Sequence, residues 1–137
     1  MLTMTKAKFF SALALFGLVA NAHAVELSNY TGEQLFNRFC ASCHGTSAMG
    51  DGPVASAIKV IVPDLTRIAK RHGGKFPAET IHQIIDGRLT RPPHGAREMP
   101  VWGWEFLKAD GDSPAAQQRA EELITRLVEH VRSIQKP

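Results

Sequence analysis

Two cysteines separated by two residues, with a histidine directly after the second, constrain this chain more than any other feature. The run is Cys40-Ala-Ser-Cys43-His44, and the chain has no other cysteine. Thiols at this spacing serve four kinds of chemistry: a thiol–disulfide redox pair, a structural zinc site, a plain disulfide, or the covalent attachment of a haem. The rest of the sequence decides between them.

The first three chemistries fit the chain poorly. A thioredoxin-like pair belongs in a βαβ unit, and no segment here shows the sustained alternation of a strand. Zinc needs four ligands, yet there is neither a second cysteine pair nor a His-x₃₋₅-His motif. A disulfide across so short a gap closes a small, strained loop. Haem attachment is favoured, because two thiols one helical turn apart can add to two vinyl groups while His44 gives its imidazole to iron.

An iron held by His44 needs a second axial ligand or keeps an open site. Met99 is the best candidate for that ligand, since it lies far from His44 in an aperiodic segment of the sequence and offers a soft thioether. Met49 follows His44 too closely to reach the other face of a ring. The remaining histidines are expected at the surface or in packing roles: His72, His82, His94 and His130.

The N-terminal segment, 1–24, has the pattern of an export signal. Lys6 and Lys8 precede an apolar run over positions 9–20, and Ala22-His23-Ala24 forms a small-x-small site. The run is too short for a membrane-spanning helix, which needs about 20 residues. We therefore predict a cleaved Sec signal at 1–24, a mature domain at 25–137 and a periplasmic location; an uncleaved anchor is the alternative.

Charge and composition exclude several classes of protein. With 44% hydrophobic and 21% charged residues, the chain has the composition of one globular domain. The formal charge is +3, but two of the positive charges, Lys6 and Lys8, lie in the predicted signal, which leaves only +1. Nucleic-acid binding loses its support, since it needs a surplus of positive charge. No integral membrane span is expected after the signal.

Helical patterns dominate the predicted mature chain. Thr31 and Gln34 can form a capping box for a helix that runs into Cys40. Further helices are expected at residues 65–72, 78–86 and 113–134, with single turns near 54–58 and 105–108 and long loops between them. The expected fold is a small all-α domain. So few helices have little apolar mass to organise such loops, and a bound group is expected to fill the centre.

These features together resemble the class I cytochromes c, over nearly all of the predicted mature chain. Gly32-x₃-Phe36-x₃-Cys40 is similar to the first helix of that family, and Met99-Pro100 is similar to its distal ligand motif. The resemblance implies a cytochrome c-like helical fold and one haem c attached through Cys40 and Cys43. It also implies that the carbonyl of Pro53, in Gly52-Pro53-x-Ala55, accepts a hydrogen bond from the proximal imidazole.

The chain departs from the family pattern in two places. Residues 114–137 contain no Phe, Trp or Tyr, so Leu127 or Val128 is expected to replace the usual aromatic residue against the first helix. The segment after Met99 contains two tryptophans, of which Trp102 is the better candidate for binding a haem propionate. Arginines that could pair with propionates are Arg88, Arg91 and Arg97.

The predicted function is electron transfer by a periplasmic, His/Met-ligated monohaem cytochrome, which is not an enzyme. Two strong axial ligands leave no position for a substrate. Other redox proteins or membrane oxidoreductases are the expected partners, bound by transient docking to a monomer. Two alternatives stay open: a catalytic or gas-binding haem with a labile sixth ligand, and a dedicated cytochrome subunit of a periplasmic dehydrogenase.

Overall fold

The computed structural model describes residues 27–89, 99–111 and 113–137, with the backbone alone at 109 and 110. Six α-helices lie in this part of the chain: α1 Gly32–Phe39, α2 Ala41–His44, α3 Ile68–Arg71, α4 Ala78–Asp86, α5 Trp102–Asp110 and α6 Pro114–Ser133. Three 3₁₀ turns accompany them, at Leu27–Asn29, Ala55–Ala57 and Leu65–Arg67. No strand occurs in the described ranges, so the all-α prediction is confirmed. The predicted signal lies outside the described residues.

The long C-terminal helix α6 is the element on which the others pack. Ser113 caps it, since its Oγ accepts a hydrogen bond from the Ala116 amide at 3.1 Å, and Pro114 occupies the first turn. One face of α6 is buried against α1, α4 and α5. Its buried apolar residues include Leu123, Ile124, Leu127, Val128 and Val131.

The crossing of α1 over α6 depends on a glycine. The predicted capping box is present, with Thr31 and Gln34 bonding each other's backbone amides. A Cβ placed on Gly32 would lie 2.3 Å from the Arg126 carbonyl oxygen of α6. The two backbones therefore approach more closely than any side chain at Gly32 would allow.

An aromatic ring does stand on α6 against the first helix, and it is a histidine. The imidazole of His130 lies 5.2 Å from the ring of Phe36, centroid to centroid. Leu127 and Val128 are buried in the same region, as expected. His130 thus has a packing role, as expected, and supplies the aromatic ring that no Phe, Trp or Tyr supplies on this helix.

Helix α5 differs from the prediction, which assigned a single turn to 105–108 and a loop before it. The helix begins at Trp102 without a side-chain cap at Val101, so the sequence carries no start signal there. Gly103 weakens the helix further by its propensity, but it lets the helix approach α4: a Cβ on Gly103 would lie 3.0 Å from the Asp86 carbonyl oxygen. Tertiary packing stabilises a helix that local propensity does not favour.

The chain beyond α6 fastens the α3 region to the domain. The Gln135 amide accepts from the Ala69 backbone at 2.8 Å and donates to the Leu65 carbonyl at 2.7 Å. The Lys136 amide donates to the Thr66 carbonyl at 2.8 Å. Among the described helices, none is long and apolar enough to cross a membrane.

Replacing Gly32 with alanine is expected to destabilise the domain. Helix propensity favours alanine by about 1 kcal/mol, but overpacking against an unyielding backbone costs about 1–3 kcal/mol, so the net effect is a loss. Urea unfolding measures it. The neighbouring exposed substitution Glu33→Ala serves as the control, and a Gly32→Ala protein at least as stable as Glu33→Ala would contradict the close crossing.

Candidate functional site

A cavity of about 750 Å³ lies inside the helical core. Folded domains of this size have few voids larger than a water molecule, while cofactor sites enclose roughly 300–1,000 Å³. Its lining is mostly aliphatic and aromatic, and includes Phe36, Ile68, Ile81, Ile85, Leu127 and Val131. Such a lining suits a large apolar group.

The Cys-x-x-Cys-His motif forms one wall of this cavity. Cys40 lies where α1 ends and the single turn of α2 begins, and its amide still donates to the Phe36 carbonyl at 2.8 Å. The turn of α2 brings the side chains of Cys40, Cys43 and His44 to the same cavity. The three side chains therefore face the same interior space, as haem attachment would require.

The loop after α2 returns across its carbonyl end and fixes the motif. Three loop amides donate to the last carbonyls of the turn: Val54 to Ser42 at 3.1 Å, Gly52 to Cys43 at 3.2 Å and Gly50 to His44 at 2.9 Å. A Cβ on Gly52 would lie 2.4 Å from the Ser42 carbonyl oxygen. The contact is possible only because glycine has no side chain, and it satisfies groups that a helix end leaves unpaired.

The environment of the cysteines argues against thiol redox catalysis. Burial raises the pKa of the Cys40 thiol to about 12, and the neighbouring Cys43 adds to the rise. A redox-active cysteine needs a lowered pKa, because the thiolate is the nucleophile. In the described ranges there is also no cluster of three or more His, Cys, Asp or Glu side chains that could hold a metal ion by themselves. The thioredoxin-like and zinc interpretations therefore gain nothing from the structure.

The His44 imidazole is held in its neutral form. Burial lowers its pKa, and a nearby backbone carbonyl, that of Pro63, offsets part of this effect. Neutral imidazole is the form that binds a metal. Its Nδ1 atom is buried and makes no hydrogen bond of ordinary geometry with the described residues, and the Pro63 carbonyl is a nearby backbone acceptor for it.

The proline beside His44 is Pro63, whereas the sequence suggested Pro53. Pro53 is exposed and does not line the cavity. Within the glycine-rich loop, the backbone at Gly50 packs directly against the backbone at Val62. A Cβ on Gly50 would lie 2.3 Å from the Val62 carbonyl oxygen. Because Pro63 directly follows Val62, this contact places Pro63 in the wall of the cavity. The structure therefore favours Pro63 for the role that was assigned to Pro53.

Met99 lines the same cavity from the segment that precedes α5, and Trp102 lines it from the first residue of α5. Both are partly buried against the core. Gly87 ends α4 with a left-handed backbone, and a Cβ there would lie 2.3 Å from a methyl group of Val101. Trp102 packs on Phe39 with ring centroids 5.2 Å apart. The other tryptophan, Trp104, is 53% exposed and outside the cavity lining.

The remaining candidates divide between the cavity and the outer surface. His72 lines the cavity and its Nδ1 lies 2.9 Å from the Ile68 carbonyl oxygen. His82 was expected to be solvated but is buried between α4 and α6, where its Nε2 lies 2.8 Å from Glu121 and its Nδ1 3.4 Å from Asp86. Outside the described residues are Arg91, His94 and Arg97.

Arg88 is turned away from the cavity. It pairs with the carboxylate of Asp86 and is absent from the cavity lining. The carboxylate two residues earlier holds the guanidinium at the surface, so the structure does not support Arg88 as a propionate partner.

Comparison with known proteins found one family. The family described as Cytochrome c matches residues 30–133, a range that contains the motif, the cavity lining and α6. Searches of curated proteins and of solved structures gave no match.

The double variant Cys40→Ala, Cys43→Ala is expected to accumulate poorly. Without attachment, the group that fills the cavity is not retained, and a loss of about 1–2 kcal/mol already lowers cellular abundance several-fold. Immunoblotting of whole cells measures the level of the protein. Ser42→Ala, which changes the residue between the two thiols but keeps both, is expected to match the unmodified chain. A pigment-free double variant with normal abundance and helical circular dichroism would contradict this.

Proposed function

Since the chain belongs to the cytochrome c family, we propose that it carries single electrons in the periplasm through one haem attached at Cys40 and Cys43, with His44 and Met99 as the axial ligands of iron. The family accounts for haem-based electron transfer in general. The attachment follows from two cysteines at the required spacing. The ligand pair, the location and the partners are our own inferences.

One observation carries the ligand assignment: His44 and Met99, which are far apart in the sequence, line the same cavity. A neutral imidazole and a thioether are together a known axial pair, and they raise the reduction potential. Met49 is the other methionine among the described residues; it is 46% exposed and outside the cavity lining. The geometry thus favours Met99 over Met49 as the sulfur ligand.

The residues around the cavity have separable roles in this function. Bound haem supplies a reversible one-electron iron couple. His44 is oriented by the turn of α2 and by the nearby Pro63 carbonyl, which tunes a ligating imidazole. Aliphatic and aromatic side chains exclude water, which favours the less charged, reduced state.

The cavity mouth is where a redox partner can approach most closely. Ile61 and Leu89 belong to the lining, and yet they are 94% and 37% exposed. Exposed apolar side chains at a rim are typical of sites where another surface is bound. We propose that partners dock there by a small, transient interface.

Replacing Met99 with alanine is expected to open the sixth coordination position. The reduced variant should bind carbon monoxide rapidly, and its potential should fall, because axial ligands set haem potentials over about 0.8 V and a change on the order of a tenth of a volt or more is expected. Met49→Ala is the matched control and should leave both properties unchanged. Rapid binding of carbon monoxide by the unmodified reduced protein would instead favour the catalytic or gas-binding alternative.

Export should remove the predicted signal, 1–24. The N-terminus of the protein recovered from the periplasm is expected to be Val25, and it can be determined by intact mass. Ala24→Phe, which places a bulky side chain at the small-x-small site, should slow processing. A full-length product that stays in the cytoplasm would refute the periplasmic location without affecting the haem assignment.

A further inference from the structure

One wall of the cavity comes from a single stretch of chain between the loop after α2 and the start of α4. Pro63, Leu65 and Ile68 line the cavity from this stretch, which includes the turn of α3. It ends at Gly73 and Gly74, which are exposed and have left-handed backbones. A Cβ added to either glycine would meet nothing within 4 Å. The wall therefore gains no support from the two glycines at its end.

The side chain of Gln135 joins this wall to the end of α6. Its Oε1 accepts from the Ala69 amide at 2.8 Å, and its Nε2 donates to the carbonyls of Leu65 at 2.7 Å and Val131 at 2.8 Å. Both N–H groups and the carbonyl oxygen of this one side chain are thus engaged. Two of the three bonds reach residues of the wall, and the third reaches the helix on which the domain packs.

The turn that Gln135 holds is joined closely to Pro63. Asp64 directly follows Pro63 and caps the turn, since its Oδ1 accepts from the Thr66 amide at 2.8 Å and from the Thr66 hydroxyl at 2.6 Å. The carbonyl of Thr66, which is buried, accepts from the Lys136 amide at 2.8 Å. The Pro63 carbonyl lies near His44, so its position depends on contacts with the chain end beyond α6.

We propose that Gln135 is a positioning residue for the proximal ligand. By tying the wall to α6, it sets how well the Pro63 carbonyl accepts from the Nδ1–H of His44; this rests on the proposed function, in which His44 binds iron. A hydrogen bond weakens steeply as its angle departs from linear, and the Nδ1 contact is not of ordinary geometry. A small movement of the wall therefore changes it strongly. A weaker bond makes the imidazole a poorer electron donor, which raises the reduction potential.

The variant Gln135→Leu tests this role in the purified holoprotein, since leucine nearly keeps the volume but makes none of the three hydrogen bonds. The Ala69 amide should exchange its hydrogen about tenfold faster, as expected when hydrogen bonds of ordinary strength are lost. The Nδ1–H of His44 should also exchange faster, and the reduction potential should rise. NMR of the reduced protein measures both exchange rates, and a redox titration measures the potential.

Two controls separate this role from a general loss of stability. Gln118→Leu removes an exposed amide of α6, which donates to Glu122 at 3.1 Å, and it should change none of the three measurements. Within Gln135→Leu itself, the Gly52 amide donates to the Cys43 carbonyl in the loop next to α2. That amide should keep its exchange rate, because Gln135 does not contact this loop directly.

A change of the backbone gives an independent test of the same connection. Lys136→Pro removes the amide that donates to Thr66, and it should move the His44 exchange rate and the potential in the same direction as Gln135→Leu. Lys136→Ala loses the same side chain but keeps the amide, and it should match the unmodified protein. If Gln135→Leu does not retain haem, the two Lys136 variants decide by the same criterion.

Either of two results would overturn the proposal. One is faster exchange at the Ala69 amide with no change at His44 or in the potential, because the contact would then be structural alone. The other is an equal change in Gln118→Leu, or an equal acceleration at the Gly52 amide, which would indicate a general loosening of the domain. An unchanged spectrum in Met99→Ala would instead refute the proposed sulfur ligand and leave the prediction for His44 standing.

Discussion

A wide apolar cavity beside the packed helices is the constraint on which the rest of the domain depends. Side chains of α1, α4 and α6 that would form a closed core in another small protein instead line about 750 Å³ of interior. Walls as apolar as these would be exposed to water if the cavity stayed unfilled, and each Å² of apolar surface left in water forgoes about 25 cal/mol of stabilisation. Filling this volume is therefore the condition on which the fold depends.

Two glycines allow the loop that follows the Cys-x-x-Cys-His motif to contact other backbone segments directly. Gly50 and Gly52 each bring a stretch of loop within contact of another backbone, at Val62 and Ser42 respectively. The result is a layered loop that pairs the carbonyls of α2 and presents Pro63 to His44. Because the segment is defined by backbone contacts, its shape is not evident from the types of its side chains.

Features with a local cause could be predicted from the sequence, and features that depend on tertiary contact could not. The capping box at Thr31 and the helices expected at 78–86 and 113–134 follow from nearby residues, and all are present to within one residue at each end. Helix α5 lacks a start signal because its stability comes from packing on α4. Choosing Pro63 over Pro53 requires knowing where the loop after α2 returns to the cavity, and no periodicity of the sequence encodes that.

Placing an imidazole in the α1–α6 crossing makes the cohesion of the domain sensitive to acid. Partial burial of His130 lowers its pKa, an effect that the negative charge of Glu33 only partly offsets. The unfolded chain then takes up a proton at this ring more readily than the folded chain does, so the native state gains stability from His130 above the ordinary histidine pKa near 6.5. That gain is lost as the pH falls from this value toward the lower pKa of the folded state. The crossing of α1 and α6 would therefore loosen as its medium turns acid.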